Sequence, residues 1–357
     1  MRKLCLLFVL LLLCCMNVGA VEDTYSQDGN DLLQELPDES EELLQDIDTT
    51  DPDFLSGVIS ILLNAFKKSF DGIRQGFKTA GILLIIILLC GICSNTGCRN
   101  SLCVIVGALG IYGTTLGSLS AMIRLSETTI QNLTDYSAFL LPVMASAMAI
   151  SGNPISAGGL QALTALFSQL LMGIISKVLL PGIYLFLTIV ACECALQSPM
   201  LGEIRKFISW LMEKTLRTLL YIFTGFLSIS GIISGSADAV AIKSAKAAVS
   251  GMVPVVGNIL SDATDTLVSS AMVIKNSIGI IGLLAILSIT CVPFLRIGIQ
   301  YLIMKLTTAV SATVGVKAHT TMLDHISTAM GLLLAMTGTC GALLLISGVC
   351  FLKVAVI

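Results

Sequence analysis

Between Val253 and Thr266 the chain reads VPVVGNILSDATDT, which sets two carboxylates in one of its least polar regions. Asp262 and Asp265 are three residues apart, so on a helix they share a face. The flanking cations nearest in sequence are Lys246 and Lys275. An ionisable group among apolar residues is expensive unless paired or facing water, so such groups mark ion or substrate paths. Pro254 and Gly257 disturb the backbone just before them. The stretch reads as half a helix followed by a bend lining a cavity. Pro254, Gly257, Ser261, Asp262, Asp265, Lys275 and Asn276 would line it, with Lys246 beside them. The competing reading is a helix start at a water interface, with Ser261 or Asp262 as its N-cap. Glu193 is a further candidate. It lies near the end of an apolar segment, from which it can also reach that interface.

Other residue types with chemical potential have plainer readings. Cys90 and Cys93 form a C-x-x-C pair near Cys98 and Cys103, and Cys192 and Cys194 flank Glu193. Such pairs can be redox-active or bind metal. Inside apolar runs, packing as small hydrophobes is the favoured reading. His319 and His325, with Asp324, read as a polar loop rather than a metal pair. No phosphate-binding G-x-x-x-x-G-K-[ST] loop, H-E-x-x-H zinc helix or G-x-S-x-G elbow occurs. Nothing therefore points to catalytic, cofactor-binding or metal-binding residues, nor to a nucleic-acid partner. An intramembrane peptidase lacks a motif.

The elements that must position these residues are membrane helices. Of 357 residues, 55% are hydrophobic and 12% charged, against about 25% charged in soluble domains. Mean hydropathy is +0.93. The reading is an all-α polytopic membrane protein in contact with the bilayer, with about six to eight transmembrane helices, some of them Pro- or Gly-broken or re-entrant. Apolar segments fall at 79–93, 101–123, 137–152, 158–176, 178–196, 218–236, 277–295, 297–316 and 326–352.

Ahead of them, Arg2 and Lys3, the apolar Leu4 to Met16 and a small-residue site at Val18-Gly19-Ala20 read as a cleavable signal peptide, 1–20. A first membrane helix is the alternative, but the apolar run is short for a span. Residues 21–53 form an acidic, extracytoplasmic, disordered tail. Residues 22–53 hold 13 of the 23 acids and no Lys or Arg. Residues 54–357 then carry 10 acids against 18 bases, a net of +8. In 54–78, Phe66, Phe70, Ile73 and Phe77 alternate with Lys67, Lys68, Arg74 and Lys78, as in an amphipathic interfacial helix. Residues 200–217 repeat that character, with Trp210 at the interface and a basic excess that favours the cytoplasmic side.

The membrane domain, 79–357, also carries a candidate repeat. Pro142 and Pro181 are 39 residues apart, as are Pro254 and Pro293, and the two pairs are offset by 112. Halves of about 101–196 and 213–308 follow, a pattern found in transporter-like folds. VPVVGNILSDATDT is then the second copy of LPVMASAMAISGNP, so Pro142 marks a second break. Gly107, Gly110, Gly113 and Gly117, and Gly231 with Gly235, read as helix-contact faces.

Lys246 to Ile286 closely resembles the stage III sporulation protein AE family. The residues that carry the resemblance are Lys246, Ser250, Pro254-Val255-Val256-Gly257, Leu260-Ser261-Asp262-Ala263, Asp265-Thr266, Lys275-Asn276, Gly279 and Gly282. It covers most of 54–357 and is specific over 240–295. The acidic tail and the cysteine cluster are not part of it. The resemblance implies a mother-cell membrane protein around the engulfed forespore. It also implies membership of a multiprotein channel with other stage III sporulation proteins, needed for late forespore development. No enzymatic role comes with it. A homo-oligomer is a further expectation, and a secondary transporter using the Pro142 and Pro254 breaks is the alternative.

The cavity reading predicts that replacing Asp262→Asn together with Asp265→Asn cuts the yield of heat-resistant spores. A yield equal to that of the parent strain removes it.

Overall fold

The computed structural model describes residues 36–37, 40, 43–44, 54–95, 100–150, 154–223, 225, 257–314 and 316–353, with the backbone alone over 257–278. Lys246, Pro254, Gly231, Gly235 and the signal segment lie outside these. Among the described residues there is no strand. This is an all-α polytopic membrane protein. Among the described residues, five helical runs are long and apolar enough to cross a membrane: Gly72–Cys93, Cys103–Ser146, Thr164–Leu196, Gly279–Thr313 and Lys317–Val349.

In chain order the helices are α1 (Phe54–Lys68), α2 (Phe70–Asn95), α3 (Asn100–Ile150) and α4 (Pro154–Ile174). A π-helical turn (Ile175–Leu179) leads into α5 (Leu180–Leu196). Then come α6 over 199–223, α7 (Gly257–Val314) and α8 (Lys317–Lys353).

Among the described residues, two of the helices are longer than the apolar segments suggested. Residues 101–123 and 137–152 are one helix, α3, joined through the polar run Arg124–Asp135. Residues 277–295 and 297–316 are likewise one helix, α7, with Arg296 at the joint. At 1.5 Å per residue α3 is about 77 Å long and α7 about 87 Å. A hydrocarbon core is about 30 Å thick, so both helices extend well beyond a single crossing.

Proline does not break these helices. α3 runs straight through Pro142 to Ile150, so the expected bend at Pro142 is not there; the chain turns only between Ile150 and Pro154. Pro142 is exposed, and its ring costs one backbone bond without ending the helix. Pro181 is accommodated differently. Its missing N–H would have bonded the Lys177 carbonyl. The turn just before it widens to π geometry, with the Leu180 N–H on the Ile175 carbonyl. Such single-turn bulges absorb a local mismatch while the helix continues.

The segment 54–78 is also two elements. The chain turns at the buried Ser69, whose Oγ bonds the Ala65 carbonyl at 2.8 Å. Lys67 and Lys68 sit in the last turn of α1, where they complement the helix dipole. Gly57, Ile61, Ala65 and Ser69, at spacings of four, form its buried side. Ile59, Leu63 and Phe66 stay exposed, as suits a lipid-facing surface.

The core is the antiparallel pair α7 and α8. The candidate span on α8 is 89% buried inside the protein and that on α7 78%, against 22% for α2. Close approach is carried by glycine. A Cβ on Gly338 would come within 2.9 Å of Phe294, on Gly341 within 2.6 Å of Thr290, and on Gly348 within 2.7 Å of Leu283. Small residues at such seams let membrane helices gain van der Waals contact, since lipid offers no hydrophobic drive between them. α3 runs antiparallel to α7: Gln300 Nε2 donates to Ser118 Oγ at 2.8 Å, and Leu140 packs over Gly282. Hydroxyls along α3, such as Thr115, Ser126 and Thr129, bond carbonyls one turn back, which satisfies them without water.

Leu36, Leu43 and Leu44 join the same core. At these residues the acidic segment is packed on the body.

His319 is not in a loop. Residues 317–325 are the first turns of α8, because Met322, Leu323 and Ile326 are buried on one side. The fully buried His319 ring lies against Gly107, with Nε2 3.0 Å from the Val104 carbonyl. Any Cβ at Gly107 would strike that ring, whereas one at Gly113 or Gly117 meets nothing within 4 Å. Of the glycine series, Gly107 and Gly110 are therefore the contact positions within the chain.

Gly107→Ala should lower the unfolding midpoint of the detergent-solubilised protein, by an overpacking cost of about 1–3 kcal/mol. Gly113→Ala should leave it unchanged or slightly raised, since alanine is the better helix former.

Candidate functional site

A two-residue turn between α5 and α6 builds the site. α5 ends at Leu196, and Gln197 takes the left-handed conformation at φ 50° with its N–H on the Glu193 carbonyl. Glycine is the usual residue there. Ser198 and Pro199 follow, and α6 starts at once, antiparallel to α5. The turn brings Glu193 of α5 against Arg205 of α6, with Nε to Oε2 at 2.7 Å. Both side chains are largely covered, with exposures of 24% for Glu193 and 13% for Arg205. Gly202 makes this possible, since a Cβ there would lie 2.8 Å from Glu193 Oε1.

α6 is thus oriented with Arg205 inward. Its apolar residues Phe207, Trp210 and Leu211 face outward, and the Phe207 and Trp210 rings stack at 6.1 Å. That is the interfacial face expected from 200–217.

The other half of the site comes from the α7–α8 turn. Lys305 Nζ donates to Asp324 Oδ1 at 2.5 Å. His325 lies within electrostatic reach of both pairs, Arg205 with Glu193 and Asp324 with Lys305. Its Nε2 is buried and has no hydrogen-bond partner. Cys194 Sγ lies 3.6 Å from the Ala318 carbonyl and ties α5 to α8.

Between these walls is a cleft of about 460 Å³. Its polar lining is Glu193, Gln197, Ser198, Lys317, Thr321 and His325, and Val190, Cys194 and Met322 supply apolar surface. Glu193, Lys305, Asp324 and His325 all belong to candidate spans, on three different helices. Each acid has a cation. This is the pairing that an apolar environment demands, because a lone buried charge costs several kcal/mol. His325 is the group left free to accept or donate a proton at the cleft. Among the described residues no group of three or more His, Cys, Asp or Glu could hold a metal.

Glu193, a candidate from the sequence, lies at this cleft, and its neighbours were not among the candidates. From the sequence Asp324 and His325 read as a polar loop, and Arg205 as part of the basic amphipathic stretch 200–217. Lys305 was overlooked, although it sits in an apolar run. Charge pairing was the usable signal: Glu193 in an apolar segment and Asp324 at the edge of one each require a cation. The other candidates lie elsewhere. Gly257, Ser261, Asp262, Asp265, Lys275 and Asn276 fall in the first turns of α7, which starts at Gly257. Ser261 and Asp262 are therefore past the N-cap position. Pro142 lies on α3.

Among the described residues, Cys90, Cys93, Cys103, Cys192, Cys194, Cys291 and Cys340 are not joined in disulfides. Cys90 also packs beside Gly107.

The fold and the cleft define an all-helical membrane protein with a charge-paired polar site between candidate spans. Residues 41–355 match the family model for stage III sporulation protein AE, and the chain belongs to that family. It is 24% identical over 300 residues to the stage III sporulation protein AE of Bacillus subtilis (strain 168), covering 82% of this chain and 73% of that protein. No solved structure matches.

A double-mutant cycle on Glu193→Gln and Arg205→Gln should give a coupling of about 1–3 kcal/mol in the stability of the detergent-solubilised protein. The exposed pair Lys206–Glu203 should show no measurable coupling by the same assay.

Proposed function

We propose that this chain is a non-enzymatic integral component of the channel-like complex that joins mother cell and forespore during sporulation. It resides in the mother-cell membrane around the forespore. Other stage III sporulation proteins are its partners, and it assembles with further copies of itself. The observation that carries this reading is the family match, which runs across every described helix from α1 to α8 and ends at residue 355. The architecture supports it: a rigid, glycine-seamed core of α7 and α8 is surrounded by helices with outward apolar faces.

The second reading is a secondary transporter. Ionisable residues from three candidate spans around a cleft favour it, and Asp262 and Asp265 remain candidate contributors on α7. Transport through His325 and its neighbours would need protonation changes that a packing scaffold does not.

Deletion of the gene should leave engulfment complete, while the forespore shrinks and a late forespore-specific fluorescent reporter stays dark. Normal sporulation in the deletion strain refutes the channel reading. If the reporter is restored by a chain carrying His325→Gln and Asp324→Asn, the transporter reading fails and the structural one stands.

A further inference from the structure

A second pocket, which shares no lining residue with the Glu193–His325 cleft, lies where α1 hands over to α2. It has a volume of about 420 Å³, which is ample for a small polar headgroup. Four helices form its walls. Lys68 comes from the end of α1, Gln75 from α2, Ser118 from α3, and Arg296 and Gln300 from α7. Gln300 is buried, and its amide nitrogen is held by Ser118 Oγ at 2.8 Å. Gly76 leaves room for that amide, since a Cβ there would meet Gln300 Oε1 at 2.8 Å. Two cations, two amides and a hydroxyl therefore converge on one volume.

The sign of the surroundings is consistent. Lys67, Arg74, Lys78 and Arg124 are exposed around the junction. Asp71 and Glu127 are the acids nearest in sequence. The candidate span on α2 begins at Gly72, which would put the junction where that helix enters the membrane. Phe70 and Phe77 are exposed on either side of it and offer surface for acyl chains. Cations beside such a boundary meet the phosphates of anionic lipids.

We propose that the Lys68–Arg296 pocket binds the phosphate-bearing headgroup of an anionic phospholipid. Arg296 and Lys68 would contact the phosphate oxygens, with Gln75, Gln300 and Ser118 on the polar groups of the headgroup. The bound lipid would fix α1 and α2 against α3 and α7. The proposal needs membrane insertion alone and holds whatever complex the chain joins.

The test is native mass spectrometry of the full chain in a neutral detergent, with phosphatidylglycerol or phosphatidylcholine added at equal mole fraction. Phosphatidylglycerol should be retained in preference to phosphatidylcholine. Lys68→Gln or Arg296→Gln should weaken retention about tenfold each, as expected for one charge-assisted contact. Lys67→Gln, which changes an exposed neighbour outside the pocket, should leave it unaltered. Should Arg296→Gln fail to fold, Lys68→Gln at the rim still decides the matter. Equal retention of the two lipids overturns the proposal, as does equal loss on Lys67→Gln and Lys68→Gln, which would mean diffuse surface charge. Displacement of the lipid by soluble glycerol phosphate at comparable concentration overturns the lipid assignment in favour of a free phosphate ligand.

Discussion

Close approach of α8 to α7 is the constraint on which the rest of the structure depends. In lipid, apolar side chains gain little by leaving one apolar surrounding for another, so helix association rests on van der Waals contact and polar pairing. Gly338, Gly341 and Gly348 supply the contact by removing the Cβ opposite Phe294, Thr290 and Leu283. With that pair fixed, α3 can run the length of α7, and α2, α4 and α5 can be laid around it. The same device recurs at Gly107 against His319 and at Gly202 against Glu193. In the latter two cases glycine makes room for an ionisable group, which links packing directly to the polar site.

The polar groups follow a second rule. Many hydroxyls bond carbonyls of their own helix, while Thr164, Ser168, Thr339 and Ser347 are buried without a partner, and the charges around the cleft are matched between helices. Glu193 with Arg205 and Asp324 with Lys305 each join two elements that are neighbours through a tight turn. Matched charges of this kind lend little net stability, because desolvation offsets most of the attraction. Their value lies in setting which faces meet. Arg205 turned inward fixes the rotation of α6, and this in turn places Phe207 and Trp210 outward. His325, held beside both pairs without a hydrogen bond of its own at Nε2, is the buried unpaired group among the residues that line the cleft.

Much of this was legible before any coordinates. Hydropathy and low charge gave the helical membrane class, and the outward apolar face of 200–217 followed from periodicity. The Lys246–Ile286 motif pointed to the family that the match over 41–355 then established. Element boundaries were less legible. Pro142, Pro181 and Pro293 look like helix ends, yet each sits in a continuing helix: the lost backbone bond is absorbed by an outward-facing ring at Pro142 and a π turn at Pro181, while the buried Pro293 stays within α7. Arg124–Asp135 looks like a loop by polarity, yet its hydroxyls bond back to the helix and its buried positions, Ser126, Thr129 and Leu133, keep helical spacing. The segment 317–325 misled for the same reason.

By itself the sequence determined the solvent of this protein, its secondary-structure class and its family, because these depend on composition and local periodicity. The tertiary structure decided which charges meet. Arg205 is twelve residues from Glu193, and Lys305 nineteen from Asp324; Arg296 and Lys68 share a pocket although most of the chain separates them. Helix rotation and glycine-permitted approach govern those encounters. Both depend on the packing of all the helices at once, which no local pattern of residues encodes.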